Sequence, residues 1–260
     1  MRLSGHQVLI TGGASGIGLA LAREFARRDN RVTVCGRDQN KLDLVAKSSP
    51  EIGTIACDIT TPEGLAVLEE RFADPEKGVS ILVNNAATGD AYCFARDRDA
   101  VEKFERELQT NLVAPARLIK CLLPALASHP EAAIVNMTSG FALCPSPAVP
   151  GYSAAKHGLR AFSKVLRQQL EGSGVRVFEV LPPMVETTLV EQVDVQKMSP
   201  EKVARAIVAG MERNHFEICI GLVRLLRWSL RIMPGLVDLV MKRYPIRLAD
   251  LDQLYPHDQR

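Results

Sequence analysis

The sequence predicts a doubly wound α/β domain in which a central parallel sheet of about seven strands is flanked by helices. Three observations predict it. Short β-rich runs alternate with amphipathic segments, several of these runs are apolar throughout, and the first passes through a glycine-rich turn into a helix. Polar alternation would mark a strand with one wet face. Continuous apolar runs instead mark strands covered by helices on both faces.

In chain order the predicted strands are Gln7–Thr11, Val32–Cys35, Thr54–Cys57, Ile81–Asn84, Ala133–Thr138, Val175–Leu181 and Glu217–Ile220. The first opens VLITGGASGIGLALAREFARR, whose helix carries Ile17, Leu21 and Phe25 at helical spacing. A second helix is expected from near Asn40 with Asp38 as its N-cap. Asp58 follows the third strand in ACDIT, where capping the next helix is its structural role. Asn111 falls inside the helical run RELQTNLVAPARL, and Pro145, Pro147 and Pro150 mark a rigid loop before GYSAAKHG. No repeat, low-complexity linker or composition shift divides the chain, so residues 1–260 are expected to form a single domain, with 221–260 as a C-terminal helical extension.

At 260 residues and 47% hydrophobic composition the chain can bury a sizeable core. Its 32 basic and 30 acidic residues leave a formal charge of +2, and the cations are dispersed, which argues against a nucleic-acid partner. Six cysteines form no Cys-x-x-Cys pair and no zinc-ligand spacing with histidine. They read as reduced thiols, which with strand-like residues already at Gln7 predicts a cytoplasmic chain without a secretory signal and without a metal site.

The glycine-rich turn has the form Thr-Gly-x-x-x-Gly-x-Gly, with Gly12, Gly16 and Gly18 at the glycine positions. It aims backbone N–H groups and a helix N-terminus at a place where a pyrophosphate can sit. No Gly-Lys-Ser/Thr follows, which disfavours a Walker-type site. Tyr152 and Lys156 lie one helical turn apart and share a face. A nearby ammonium stabilises a phenolate, so the pair predicts a tyrosine with a lowered pKa that serves as proton donor and acceptor.

Through these motifs the chain resembles the short-chain dehydrogenase/reductase family from its first strand to about its last. TGGASGIG matches the family's cofactor turn, NNAA at 84–87 is similar to its Asn-Asn-Ala-Gly segment, and Asn111, Ser139, Tyr152 and Lys156 match its catalytic tetrad. The resemblance implies a Rossmann-type NAD(P)-binding domain that transfers hydride between a nicotinamide and a carbonyl or alcohol. It implies cofactor contacts from Gly12, Ala14, Ser15, Gly16, Ile17, Gly18, Asp58, Ile59, Asn85 and Ala86, from Tyr152 and Lys156, and on the nicotinamide side from Pro182, Val185 and Thr187. Asn111 would hold a water linking Lys156 to solvent, and Ser139 rather than Thr138 would stabilise the developing alkoxide. Ala87 and Pro183 depart from the family's glycines, which bears on the local shape of the nicotinamide pocket.

An NAD-preferring site of this kind ends its second strand with a carboxylate for the ribose hydroxyls. Here Gly36 and Arg37 stand there, and a guanidinium can pair with a 2′-phosphate, so NADP(H) is the expected cofactor. Asp38 is the rival as a ribose carboxylate, though its place before the helix near Asn40 favours the N-cap role. Met184, Leu189, Phe141, Leu143 and Tyr92 make the expected pocket wall apolar, favouring an uncharged or lipid-like carbonyl. The different-class alternative is a catalytically silent dinucleotide sensor or scaffold, which would need the turn but not the Tyr-Lys pair. By resemblance, a homodimer or homotetramer is expected.

From Gly221 to Pro245 the chain reads GLVRLLRWSLRIMPGLVDLVMKRYP. Arg224, Arg227 and Arg231 are expected to form one cationic stripe opposite Leu222, Leu225, Leu226 and Leu230. The charges and Pro234 argue against a spanning helix. Two readings stay open for 222–243: a helix packed over the pocket or against a sister subunit, and a peripheral membrane contact with Trp228 near the headgroups.

Overall fold

The computed structural model describes residues 1–183, 198–233 and 235. Among them, seven parallel strands, β1 (Gln7–Thr11), β2 (Arg31–Gly36), β3 (Ile52–Ala56), β4 (Ile81–Asn84), β5 (Ala132–Met137), β6 (Val175–Leu181) and β7 (Glu217–Cys219), form one sheet in the order β3-β2-β1-β4-β5-β6-β7. The order reverses between β1 and β4. A doubly wound sheet opens a crevice at that switch point, beyond the carboxyl ends of the strands.

Alternate residues explain why the strands read as unbroken apolar runs. Val8 and Ile10 of β1 enter one core with Val32, Val34, Val83 and Phe178, while Leu9 enters the opposite core with Leu82, Ile134 and Val177. The first face is covered by α1 (Gly16–Ala26), α2 (Gln39–Ser48) and α7 (Pro200–Glu212), through Leu21, Phe25, Leu42, Val203 and Ile207. The second is covered by α3 (Pro62–Phe72), α5 (Ala114–Ser128) and α6 (Pro150–Gln169), through Leu68, Phe72, Leu118, Leu122 and Leu166. Two cores sealed by one sheet leave only the strand ends for chemistry.

Helix ends follow local sequence. Asp38 caps α2 by accepting from the Lys41 amide at 3.1 Å, and Thr61 caps α3 by accepting from the Gly64 amide at 3.1 Å. Thr61, not Asp58, therefore fills the capping role before α3. Pro150 is not loop: it starts α6, where its missing N–H costs nothing. Between α4 (Ala100–Leu108) and α5 the ladder widens into a π turn, Gln109–Val113, with Asn111 at its centre. The helical run Ala100–Ser128 is long and apolar enough by composition to cross a membrane, yet half of its most apolar window is buried in the fold, as befits a core helix.

The final described helix, α8 (Leu222–Ile232), corrects the predicted stripes. Val223 is buried and Leu226 and Leu230, like Phe141, pack against Cys144, whereas Leu222 and Leu225 face solvent. Arg227 turns inward because Glu217 at the end of the sheet accepts it at 3.0 Å, which separates it from Arg224 and Arg231. Residues 236–260 of the expected extension lie outside the described residues.

Candidate active site

The glycine turn is pressed between two strand ends. The Gly12 amide donates to the Cys35 carbonyl at 2.8 Å, fastening the turn to β2. A Cβ at Gly12 would lie 2.8 Å from the Ala86 Cα, and one at Gly18 would lie 2.5 Å from both the Gly12 carbonyl oxygen and Asn85 Nδ2. Any side chain there displaces backbone. Asn85 ties the turn to β4, its Nδ2 donating to the Thr11 and Gly12 carbonyls at 3.0 Å each, while the Thr11 hydroxyl accepts from the Asn85 and Ala86 amides at 3.0 Å.

Beyond this clamp lies one cleft along the switch point. Its walls include Gly12, Ser15, Gly16, Ile17, Arg37, Asp58, Ile59, Asn85, Ala86, Tyr152, Lys156 and Pro182. Of the predicted cofactor residues, Gly18 is buried behind the turn and the Ala14 side chain packs on the core, so neither side lines the cleft. Val185 and Thr187, like Met184 and Leu189, lie outside the described residues. Ala87 lines the cleft, as its place in the NNAA segment implied, and Cys35, Cys57, Thr60, Thr110, Met137 and Thr138 line it without a sequence signal for it.

The cleft suits a dinucleotide. Ser15 makes no side-chain cap to α1 and the first turn holds no acid, so the positive end of the helix opens on the cleft where a pyrophosphate would be held. At the far side Gly36 leaves open space where a side chain would stand, and Arg37 is exposed beside it, its Nη1 3.7 Å from Asp58 Oδ2. Burial works to raise the Asp58 carboxyl, but hydrogen bonds from the Thr60 hydroxyl and amide, with Arg37 nearby, outweigh it and hold the group below the usual range. Asp38, the rival ribose ligand, is engaged in capping α2.

Tyr152 and Lys156 project from one face of α6. Lys156 is 2% exposed, donates to the Met137 carbonyl at 2.8 Å, and places Nζ 5.4 Å from the centre of the Tyr152 ring. Ser139 stands beside Tyr152, where its hydroxyl favours the phenolate, and Ser139 Oγ accepts from the Phe141 amide at 3.2 Å. Thr138 is excluded from that role by its bonds: its hydroxyl is taken by the Val180 carbonyl at 2.9 Å and Glu179 at 3.1 Å. Asn111 is fully buried and grips the segment after β4, accepting from the Thr88 amide at 3.2 Å and donating to the Thr88 carbonyl at 2.7 Å.

The expected lowering of the tyrosine is not found. Burial pushes the Tyr152 phenol up to about 12, relieved only in part by Ser139, and burial brings the Lys156 ammonium down to about 7. Desolvation decides both shifts: it is the largest cause acting on Tyr152 and the one acting on Lys156, and no attraction between the two offsets it.

One further buried carboxylate supports the site. Glu107 is fully buried, accepts from the Asp90 amide at 2.6 Å and the Tyr92 hydroxyl at 3.2 Å, and its carbonyl accepts from Asn111 Nδ2 at 2.9 Å. Its position one helical turn before Asn111 was the available signal. Tyr92 is therefore not pocket wall but a buried strut, at 2% exposure. Phe141 does reach the site, meeting Tyr152 edge-on at 6.4 Å.

Comparison with known proteins agrees with this geometry. The sequence profile described as short chain dehydrogenase matches residues 6–198. The oxidoreductase DltE of Bacillus subtilis is 37% identical over 189 residues, covering 73% of this chain and 75% of its own. A very-long-chain 3-oxoacyl-CoA reductase of Macaca fascicularis is 30% identical over 213 residues, covering 78% and 68%. Among solved structures, a short-chain dehydrogenase from Sphingobium yanoikuyae in complex with NADPH superposes with a TM-score of 0.78 at 28% identity, covering 94% of this chain and 97% of its own. The chain belongs to the short-chain dehydrogenase/reductase family, as an oxidoreductase that works with a nicotinamide dinucleotide.

Proposed function

We propose that the protein is an NADP(H)-dependent reductase of an apolar, acyl-like carbonyl compound, with Tyr152 as the proton donor. The observation that carries this reading is that Tyr152, with Ser139 beside it, and Lys156 line the same cleft that Arg37 enters. The exposed guanidinium beside an open Gly36 suits a 2′-phosphate, and an NADPH-bound relative at 28% identity supports it. The 3-oxoacyl substrate named for the macaque relative, together with Phe141 beside the tyrosine, favours an acyl chain over a hydroxy acid.

The bound nicotinamide would supply hydride to the carbonyl carbon. As negative charge grows on the substrate oxygen, the Ser139 hydroxyl stabilises it and the neutral Tyr152 hydroxyl gives up its proton. A tyrosine held at about 12 is fully protonated at pH 7 and so begins in the donor state. Lys156, held at about 7, can stabilise the phenolate as an ammonium and return a proton to it near neutrality. Asn111 keeps the 88–92 segment in place beside the tyrosine. All six cysteines are free, which supports a reducing, cytoplasmic setting.

NADPH oxidation against a panel of ketones, aldehydes, quinones and 3-oxoacyl thioesters, with NADH in parallel and Tyr152→Phe as control, tests the reading. Turnover that prefers NADPH and is lost in the control is expected. Tight NADPH binding with no turnover across the panel would overturn the reductase and favour a sensor.

A further inference from the structure

We propose that α8 docks the protein on an anionic lipid surface, its outer arc entering the headgroup region while Arg224 and Arg231 meet lipid phosphates. At 100° per residue, Leu222, Leu225, Trp228 and Ile232 fall on one side of the helix. They are 76%, 64%, 60% and 72% exposed. Single exposed apolar residues are ordinary, but four large ones on one arc, extended by Met233 at 51%, form a patch that water-soluble surfaces avoid.

Charge selects the occupant. Arg227 is neutralised by Glu217 at 3.0 Å on the inner side. Arg224 and Arg231 lie together along one edge of the outer arc, make no ion pair among the described residues, and share α8 with no acidic residue. A second copy packed on this arc by a two-fold axis would set Arg224 against the other copy's Arg231, with no carboxylate between them. An anionic bilayer offers apolar depth for the leucines, an interfacial level for tryptophan and phosphates for both guanidinium groups.

The placement of α8 gives the contact a use. Val223 lies where a Cβ on Gly140 would be 3.3 Å from its Cγ2, and Leu226 and Leu230 pack on Cys144 together with Phe141, which meets Tyr152 edge-on. The inner side of the docking helix thus shares the Cys144 cluster with the ring that meets the catalytic tyrosine. An apolar substrate held in the bilayer would reach the site without crossing bulk water.

Trp228 is the single tryptophan of the chain, so its fluorescence reports the arc directly. Full-length protein would be mixed with vesicles containing phosphatidylglycerol or with pure phosphatidylcholine, and read by tryptophan emission and by flotation. The expected result is red emission in buffer, a blue shift and co-flotation with the anionic vesicles only, and release in about 0.5 M salt. Arg224→Glu with Arg231→Glu should lower binding by more than about tenfold, and Leu225→Glu should also release the protein. NADPH turnover of a water-soluble carbonyl should stay unchanged in both variants. Unshifted emission without flotation would overturn the proposal. So would emission already blue in buffer, which would mean a second copy where it reddens on dilution, and the chain's own cover where it does not. Vesicle binding is read without turnover, so loss of the reductase reading and loss of this one are separate results.

Discussion

The Lys156 ammonium nitrogen lies 5.4 Å from the centre of the Tyr152 ring while donating at 2.8 Å to the Met137 carbonyl. The lysine is thereby fixed behind the ring by β5, and the phenol hydroxyl is left to Ser139 and the cleft. Tyr152→Phe removes the proton donor and little else, since the ring keeps its contact with Phe141. Turnover should fall by about 10²- to 10⁴-fold, with NADPH affinity within a few-fold of the parent by fluorescence titration. Equal loss of binding and turnover would show that the hydroxyl serves cofactor binding instead.

Lys156 should also govern a part of the pH dependence of stability. Its folded value of about 7 lies below the ordinary 10.5, so between these the unfolded chain holds a proton that the folded chain has lost. Stability therefore rises with pH across that window. The cost below it is roughly 4–5 kcal/mol by the size of the depression. The Tyr152 phenol, raised to about 12, changes stability only above its ordinary 10 and lies outside this window. Lys156→Met should be more stable than the parent at pH 6 by thermal melting, with the advantage shrinking toward pH 10. A difference that does not vary with pH would contradict the buried ammonium.

Arg37 should set the choice between the two nicotinamide cofactors. The loss of one charge-assisted pair with a 2′-phosphate is worth about 1.5–3 kcal/mol, and an aspartate in its place adds repulsion. Arg37→Asp should lower the NADPH-to-NADH ratio of kcat/KM by at least about tenfold. Asp38 accepts the Lys41 amide through Oδ1, which commits it to capping α2 rather than to the ribose. A ratio that does not move would place the 2′-phosphate elsewhere.

Cys57 should be the reactive thiol of this chain. It lines the cleft half-buried beside Cys35, whose hydrogen bond lowers the Cys57 thiol while the same contact and burial raise Cys35. Thiolate character and access together set alkylation rates. Iodoacetamide at pH 7.5 should label Cys57 before Cys35 by peptide mapping, and NADPH should protect it. Faster labelling of Cys35, or no protection, would count against the cofactor occupying this end of the cleft.

The strands were legible because both of their faces are apolar: β1, β4 and β6 begin and end where the runs do. β3 starts two residues earlier than the run suggests, at Ile52, since Gly53 interrupts the apolar pattern without interrupting the ladder to β2. The glycine turn and the Tyr-Lys pair were legible because their spacing is local. What was hidden depends on partners distant in the chain. Glu179 is fully buried within β6 only because Arg160 on α6 meets it with two bonds of 2.7 Å. Arg227 leaves its expected stripe only because Glu217 lies beneath it. Neither partnership leaves a trace in sequence periodicity.

Glu107 gives the same lesson in a form that can be measured. Its carboxylate holds the Asp90 amide and the Tyr92 hydroxyl, and a Cβ on Gly151 would lie 2.2 Å from its Oε2, so α6 begins against it one residue before Tyr152. Its carbonyl also holds Asn111. Burial keeps the carboxyl raised, opposed by the Asp90 and Tyr92 bonds, so the acceptor oxygens matter more to the fold than the negative charge. Glu107→Ala strands two buried donors and should cost about 2–4 kcal/mol of stability, with kcat falling more than the KM for NADPH rises. Glu107→Gln keeps the volume and one acceptor, and should recover most of the stability. If the glutamine variant proved as unstable as the alanine, the ionised carboxylate itself, rather than its accepting geometry, would be what anchors the tyrosine helix.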